Sequence, residues 1–150
     1  MSTFTQIIYQ IVFGSKYITR FLDSSNQDKL FNYMAGTARN KNCIPYKIGG
    51  HINHVHMIVS IHPTIALCRL VRDVKYAADL MMKKEKTLFK NFPGWQRGYG
   101  GFTYSFSAKD NLIRYVVNQE QHHSEENFEE EYIRLLDEHG IEYDRKYLFI

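Results

Sequence analysis

The sequence predicts one α+β domain: a four-stranded antiparallel sheet with helices packed on it. Three observations carry that prediction. Short β-branched and aromatic runs alternate with longer stretches whose apolar residues recur three or four apart. Their order along the chain is β-α-β-β-α-β, with further helices after it. A chain of 150 residues, 44% hydrophobic and 23% charged, is globular and large enough for one core but not for two ordinary ones.

The first strand is the run Gln6 to Phe13, apolar and β-branched enough to be buried on both faces. After the polar stretch Asp23-Ser24-Ser25-Asn26, Leu30, Phe31, Met34 and Ala38 fall at helical spacing, with Ser25 or Asn26 as N-cap. Two strands follow, Ile44 to Ile48 and Val55 to Ile61, joined as a hairpin through Gly49-Gly50-His51-Ile52-Asn53. A second helix is expected from Thr64, as N-cap after Pro63, to about Lys84, with Leu67, Leu70, Val71, Val74, Ala78 and Met81 inward.

Phe92 to Gly101 is a glycine-rich loop, and Phe102 to Phe106 alternates as the fourth strand. A third helix opens after Ser107, with Asp110 three residues on, and carries Leu112, Ile113, Val116 and Val117 on its apolar arc. The last helix, Phe128 to His139, begins with Glu129-Glu130-Glu131 at its positive dipole end and stops at Gly140. This order is that of the split βαβ, ferredoxin-like sandwich, which RNA-recognition domains share. With no repeat and no dividing linker, residues 1–150 are expected to form a single domain. Function must then come from the site.

Composition narrows the classes. No apolar run reaches the roughly 18 residues of a membrane span, and the start MSTFTQIIYQIVFGSK lacks the layout of a secretory signal. Cys43 and Cys68 form no CxxC pair and are read as reduced, buried thiols. A cytoplasmic protein is expected. Residues 1–123 hold 16 Lys/Arg against 7 Asp/Glu, whereas residues 124–150 hold 3 against 9. A basic body suits a polyanionic partner; the acidic end reads equally well as a solvated helix.

The residues with chemistry cluster in two places. His54-Val55-His56 opens a strand, so both imidazoles project from one face while Val55 points into the other. Two such rings can share one divalent metal, although two ordinary histidines fit the same pattern. On the third helix, Tyr115, Gln119 and His122 fall within one narrow arc at the edge of the apolar face. Gln119 thus offers an amide oxygen to the space beside Tyr115. A set of two imidazoles and one amide would leave metal positions open for a substrate phosphate and water. Taken alone, Tyr115 reads as boundary packing and Gln119 as a solvated side chain.

His54-Val55-His56 together with Tyr115-Val116-Val117-Asn118-Gln119 resembles the HUH-type single-tyrosine transposases of small insertion sequences. The likeness extends through IGGHINHVHMIVSI, WQRGYGGF, YVVNQEQHH and FEEEYIRLLDEHGIEYDRKYLF, nearly the whole chain. The resemblance implies His54, His56 and Gln119 as ligands of a divalent metal, Mg2+ or Mn2+, and Tyr115 as a nucleophile that forms a 5′-phosphotyrosine. It also implies a substrate of single-stranded DNA with hairpins at element ends. A homodimer is implied too, the tyrosine helix of one subunit completing the histidine site of the other. The phenol's ordinary pKa near ~10 requires a local group to take its proton, and the sequence names none.

His51 and His62 read as bystanders, His122 and His123 as surface residues, and His139 as a helix C-terminal residue. Arg69, Arg72 and Lys75 form a basic strip that Lys83, Lys84, Lys86 and Lys90 extend; it suits DNA phosphates or a solvated face. Tyr99, Phe102 and Trp95 are candidates for stacking on a base, with loop anchoring the simpler role for Trp95. Two alternatives remain: a relaxase- or replication-initiator-like nuclease, and a hairpin or single-stranded DNA-binding protein without transposition. An open-sheet binding module would need exposed aromatics such as Tyr9 and Phe13.

Overall fold

The computed structural model describes residues 2–150. Strand β1 (Ile8–Gly14) lies at the centre, as its apolar run requires. It pairs antiparallel with β3 (His54–Ser60) on one side and β4 (Gly100–Tyr104) on the other, and β2 (Ile44–His51) forms the edge beyond β3. The order β2-β3-β1-β4 is the ferredoxin-like arrangement, so the predicted fold class holds.

Helices cover both faces. Ile11 and Phe13 of β1, with Val55, Met57 and Val59 of β3, pack against α1 (Gln27–Asn40) and α2 (Leu67–Lys84) in the larger core. The alternate residues Ile8, Val12 and Ile58 pack beneath α3 (Lys109–Val117) and α5 (Phe128–Glu138). His54 and His56 belong to this second face by strand alternation. Phe13 is fully buried against Trp95, so it presents no open aromatic surface.

Several boundaries differ from the sequence reading for local reasons. The β2–β3 hairpin closes on Ile52 and Asn53 alone, because both glycines extend β2. Helix α2 begins at Leu67: Thr64 instead bonds His62, its N–H donating to Nδ1 at 3.2 Å, in a separate turn. Asn26 precedes α1 but does not cap it; its Nδ2 donates to the carbonyls of Phe21 and Leu88 and ties two loops together. The third helix breaks at Asn118 (φ −92°, ψ 17°), leaving a short α4 (Gln119–His122). Cys68 is exposed, not buried, since it lies on the outer side of α2, whereas Cys43 is buried as expected.

Two features aim the second face. A Cβ on Gly49 would lie 2.6 Å from Val116 Cγ1, so only glycine lets α3 sit this close to β2. Helix α5 starts with a capping box between Asn127 and Glu130, and ends before Gly140 at φ +66°. Among the described residues no helix is long and apolar enough to cross a membrane.

Candidate active site

Strand β3 delivers two imidazoles into the space beneath α3, α4 and α5, and both are fully buried. Each ring is fixed from behind. His54 Nδ1 donates to Asn53 Oδ1 at 2.9 Å, and His56 Nδ1 donates to Gln10 Oε1 at 2.8 Å. Gln10 is itself held by the bond from its Nε2 to the Tyr104 hydroxyl. In the neutral rings these bonds leave each Nε2 with a lone pair, aimed into the cluster.

Oxygens meet those nitrogens. His54 Nε2 lies 3.2 Å from Gln119 Oε1 and 3.3 Å from Glu131 Oε1, and His56 Nε2 lies 3.0 Å from the same Glu131 oxygen. His123 Nε2 donates to Gln119 Oε1 at 2.8 Å and to Glu131 Oε1 at 3.0 Å. Burial holds His54 down to about 4, so its ring is neutral at pH 7 and faces two acceptors without a proton to share. Buried, convergent nitrogen and oxygen donors, with tautomers fixed from behind, fit a divalent cation. His54, His56, His123 and Glu131 offer donor atoms within 4.8 Å of one another, and Gln119 adds its amide oxygen.

Tyr115 stands at the rim of the same cluster, its ring 5.9 Å from that of His56. Its hydroxyl donates to Glu131 Oε2 and accepts from Arg134 Nη2 at 2.8 Å. Gln119 Nε2 donates to that Oε2 at 3.0 Å. Arg134 is braced by Glu126 and Glu138, each at 3.1 Å. Burial and then the Glu131 charge push the Tyr115 phenol well above its usual range, with Arg134 opposing them. Burial would raise Glu131 as well, but the imidazoles around it, His56 foremost and then His123, hold it below the ordinary carboxylate range. The carboxyl is therefore ionised.

The residues singled out in the sequence thus come together: His54, His56 and Gln119 are buried in one cluster, and Tyr115 stands half-buried at its rim. His122 reaches it too, with Nε2 3.5 Å from the Tyr115 hydroxyl and 2.7 Å from Glu126 Oε1. His123 is a correction. Its side chain is 3% exposed and part of the cluster, not a surface group. His51 stacks on it at 5.4 Å, while His62 bonds Thr64 and His139 Nδ1 donates to the Leu135 carbonyl. Glu131 and Arg134 escaped the sequence reading. The available signal was periodicity: Glu131 falls on the face of α5 that carries Phe128, Tyr132 and Leu135, where a charge needs a reason.

The basic residues lie across the sheet on α2. Arg69 and Lys84 are exposed. Arg72 and Lys83 line a groove of about 930 Å³ with Lys86, Lys90, Tyr76 and Trp95. Lys75 turns inward and donates to the carbonyls of Gln96 and Gly98 at 2.9 and 2.7 Å, and burial lowers it to about 8. Trp95 anchors the glycine-rich loop, its Nε1 donating to the Lys75 carbonyl, and Phe102 is buried in the core beneath α5.

Comparison with known proteins gives a consistent result. The family described as "Transposase IS200 like" matches residues 3–119. No curated protein matches the sequence. Among solved structures, a provisionally assigned transposase from Deinococcus radiodurans R1 superposes with a TM-score of 0.61 at 17% identity, covering 79% of this chain and 95% of its own. A REP-associated tyrosine transposase bound to a REP hairpin gives 0.56 at 13% identity, covering 82% and 74%. At such identities these two likenesses concern the fold.

Proposed function

The chain belongs to the IS200-like transposases, and on that premise we propose that it cleaves and rejoins single-stranded DNA at insertion-sequence ends through Tyr115. The observation that carries this reading is one carboxylate: Glu131 touches the Tyr115 hydroxyl with Oε2 and His56 Nε2 with Oε1. The tyrosine and the histidine pair are thereby parts of one site.

In cleavage, the Tyr115 oxygen attacks the scissile phosphorus, a new P–O bond forms, and the bond to the 3′-oxygen breaks. The products are a 5′-phosphotyrosine and a free 3′-hydroxyl. Because the covalent link conserves the phosphodiester's energy, a 3′-hydroxyl can reverse the step and reseal without a nucleotide cofactor. The phenol proton has an acceptor in place, Glu131 Oε2, from which it can pass to the departing 3′-oxygen. Arg134, 2.8 Å from the phenol oxygen, favours the phenolate and is placed to meet charge on the phosphate. His54, His56 and Gln119 would hold a divalent metal, Mg2+ or Mn2+, which would polarise the scissile phosphate as a Lewis acid.

We assign DNA contacts to the exposed cations of α2, Arg69, Arg72, Lys83 and Lys84; Lys75 is occupied with the loop carbonyls. The hairpin bound to the REP-associated relative supports a folded single strand as substrate. Residues 1–150 act as a single domain on this reading, and a homodimer remains the assembly that the family resemblance implies.

Denaturing electrophoresis tests the proposal, using labelled single-stranded DNA from the flanks of the gene and Mg2+ or Mn2+. A metal-dependent labelled protein band is expected, absent in Tyr115→Phe and strongly reduced in His56→Ala, with native-gel binding retained in both. Binding without any band in the unaltered protein would favour a DNA-binding protein that does not transpose.

A further inference from the structure

We infer that Glu131 is a fourth, anionic ligand of the metal site, extending the His54–His56–Gln119 set that the family resemblance implies. The inference rests on the metal-dependent reading above and concerns a residue outside the family match at residues 3–119.

Geometry is the first support. Metal–ligand bonds of about 2.1 Å place neighbouring donors of an octahedral site about 3.0 Å apart. Glu131 Oε1 stands 3.3 Å from His54 Nε2 and 3.0 Å from His56 Nε2, and Gln119 Oε1 stands 3.2 Å from His54 Nε2. A surface carboxylate drawn toward a histidine would contact one ring; this oxygen faces both rings and also meets His123 Nε2 at 3.0 Å.

Charge is the second. Glu131 is fully buried, and among the described residues no lysine or arginine pairs with it. Arg134, the nearest candidate on α5, directs its guanidinium to Tyr115, Glu126 and Glu138. A buried carboxylate whose only cationic partners are imidazoles lacks a permanent counter-charge. Conversely, two neutral imidazoles and an amide would leave a divalent ion uncompensated in the same enclosed space. One carboxylate ligand would answer both deficits.

His123 then has a defined task. Its Nε2 donates to the Oε1 atoms of Gln119 and Glu131, holding both oxygens toward the histidine pair without itself binding metal. The remaining Glu131 oxygen keeps its contact with Tyr115, so a single side chain ties the ion to the tyrosine.

The test measures Mn2+ binding to the whole protein without DNA, by calorimetry and by the loss of the free-ion EPR signal. Glu131→Gln keeps the shape and removes the charge; it should weaken Mn2+ binding at least tenfold while circular dichroism and the melting profile show a folded chain. Glu131→Asp should fall between the two. A Glu131→Gln affinity within twofold of the unaltered protein, with His56→Ala abolishing binding, would overturn this inference and leave the proposed function standing. No Mn2+ binding by the unaltered protein would overturn the metal-dependent reading and this inference together. Should Glu131→Gln not fold, anomalous scattering from Mn2+-soaked crystals of the unaltered chain decides. A peak bonded to Glu131 Oε1 supports the assignment; a peak on His54, His56 and Gln119 with Glu131 turned away contradicts it.

Discussion

His54 carries a proton-linked cost that its burial makes visible. The ring protonates near 6.5 when exposed and is held down to about 4 in the fold. Between those values the unfolded chain binds the extra proton, so without metal the fold loses stability as pH falls from 6.5 toward 4. Glu131 acts in the same direction lower down: its carboxyl is held below the ordinary 4.5, so its contribution is lost as pH falls beneath that value. Denaturant titrations in chelator should show His54→Asn flattening the loss between pH 6.5 and 4.5 while leaving the steeper acid limb; an unchanged profile would mean that another group titrates there. At this scale the sequence was informative wherever a motif spaced the residues. Alternation on a strand put His54 and His56 on one face, and helical spacing put Gln119 one turn after Tyr115. Glu131 was hidden because three consecutive glutamates at a helix start have an adequate explanation in the helix dipole. Only the tertiary position of α5 separates the buried Glu131 from exposed Glu129 and Glu130.

Helix α3 reaches its place through β2. Gly49 lets Val116 approach, and Tyr115 is its neighbour in sequence, so the gap at Gly49 helps set how far the phenol stands from the histidines. Gly49→Ala puts a methyl 2.6 Å from Val116 Cγ1 and should cost about 1–3 kcal/mol as the core adjusts. Adduct formation should fall further than DNA affinity; equal losses of both would indicate general unfolding, not displacement of α3. The elements themselves were legible from period and punctuation, including the stop of α5 before Gly140. Boundaries were not, where side chains make local alternatives. Thr64 looked like an N-cap because it follows a proline and precedes a helical pattern, yet His62 takes it into a turn of its own. The break at Asn118 interrupts a pattern that reads as one continuous helix, and it leaves Gln119 and Tyr115 convergent all the same.

At the scale of the molecule, the split between a basic body and an acidic end has a structural meaning that charge counting missed. The acidic segment folds back over the histidine face: Glu131 enters the cluster, while Glu126 and Glu138 brace Arg134 against Tyr115. One chain therefore brings Tyr115, His54 and His56 together, which favours a site assembled within a subunit over one exchanged between two. Mixing Tyr115→Phe with His56→Ala should then restore no adduct, whereas a shared site would recover part of the activity. Whether Tyr115 is the attacking residue is tested most directly by locating the bond itself. The adduct, trapped with metal and single-stranded DNA, would be digested with nuclease and trypsin and its peptides sequenced by mass spectrometry. The tryptic peptide 115–134 holds two tyrosines, Tyr115 and Tyr132, so fragmentation must separate them. A nucleotide on Tyr115 is the predicted result; one on Tyr132, or on any of the other tyrosines, would contradict it.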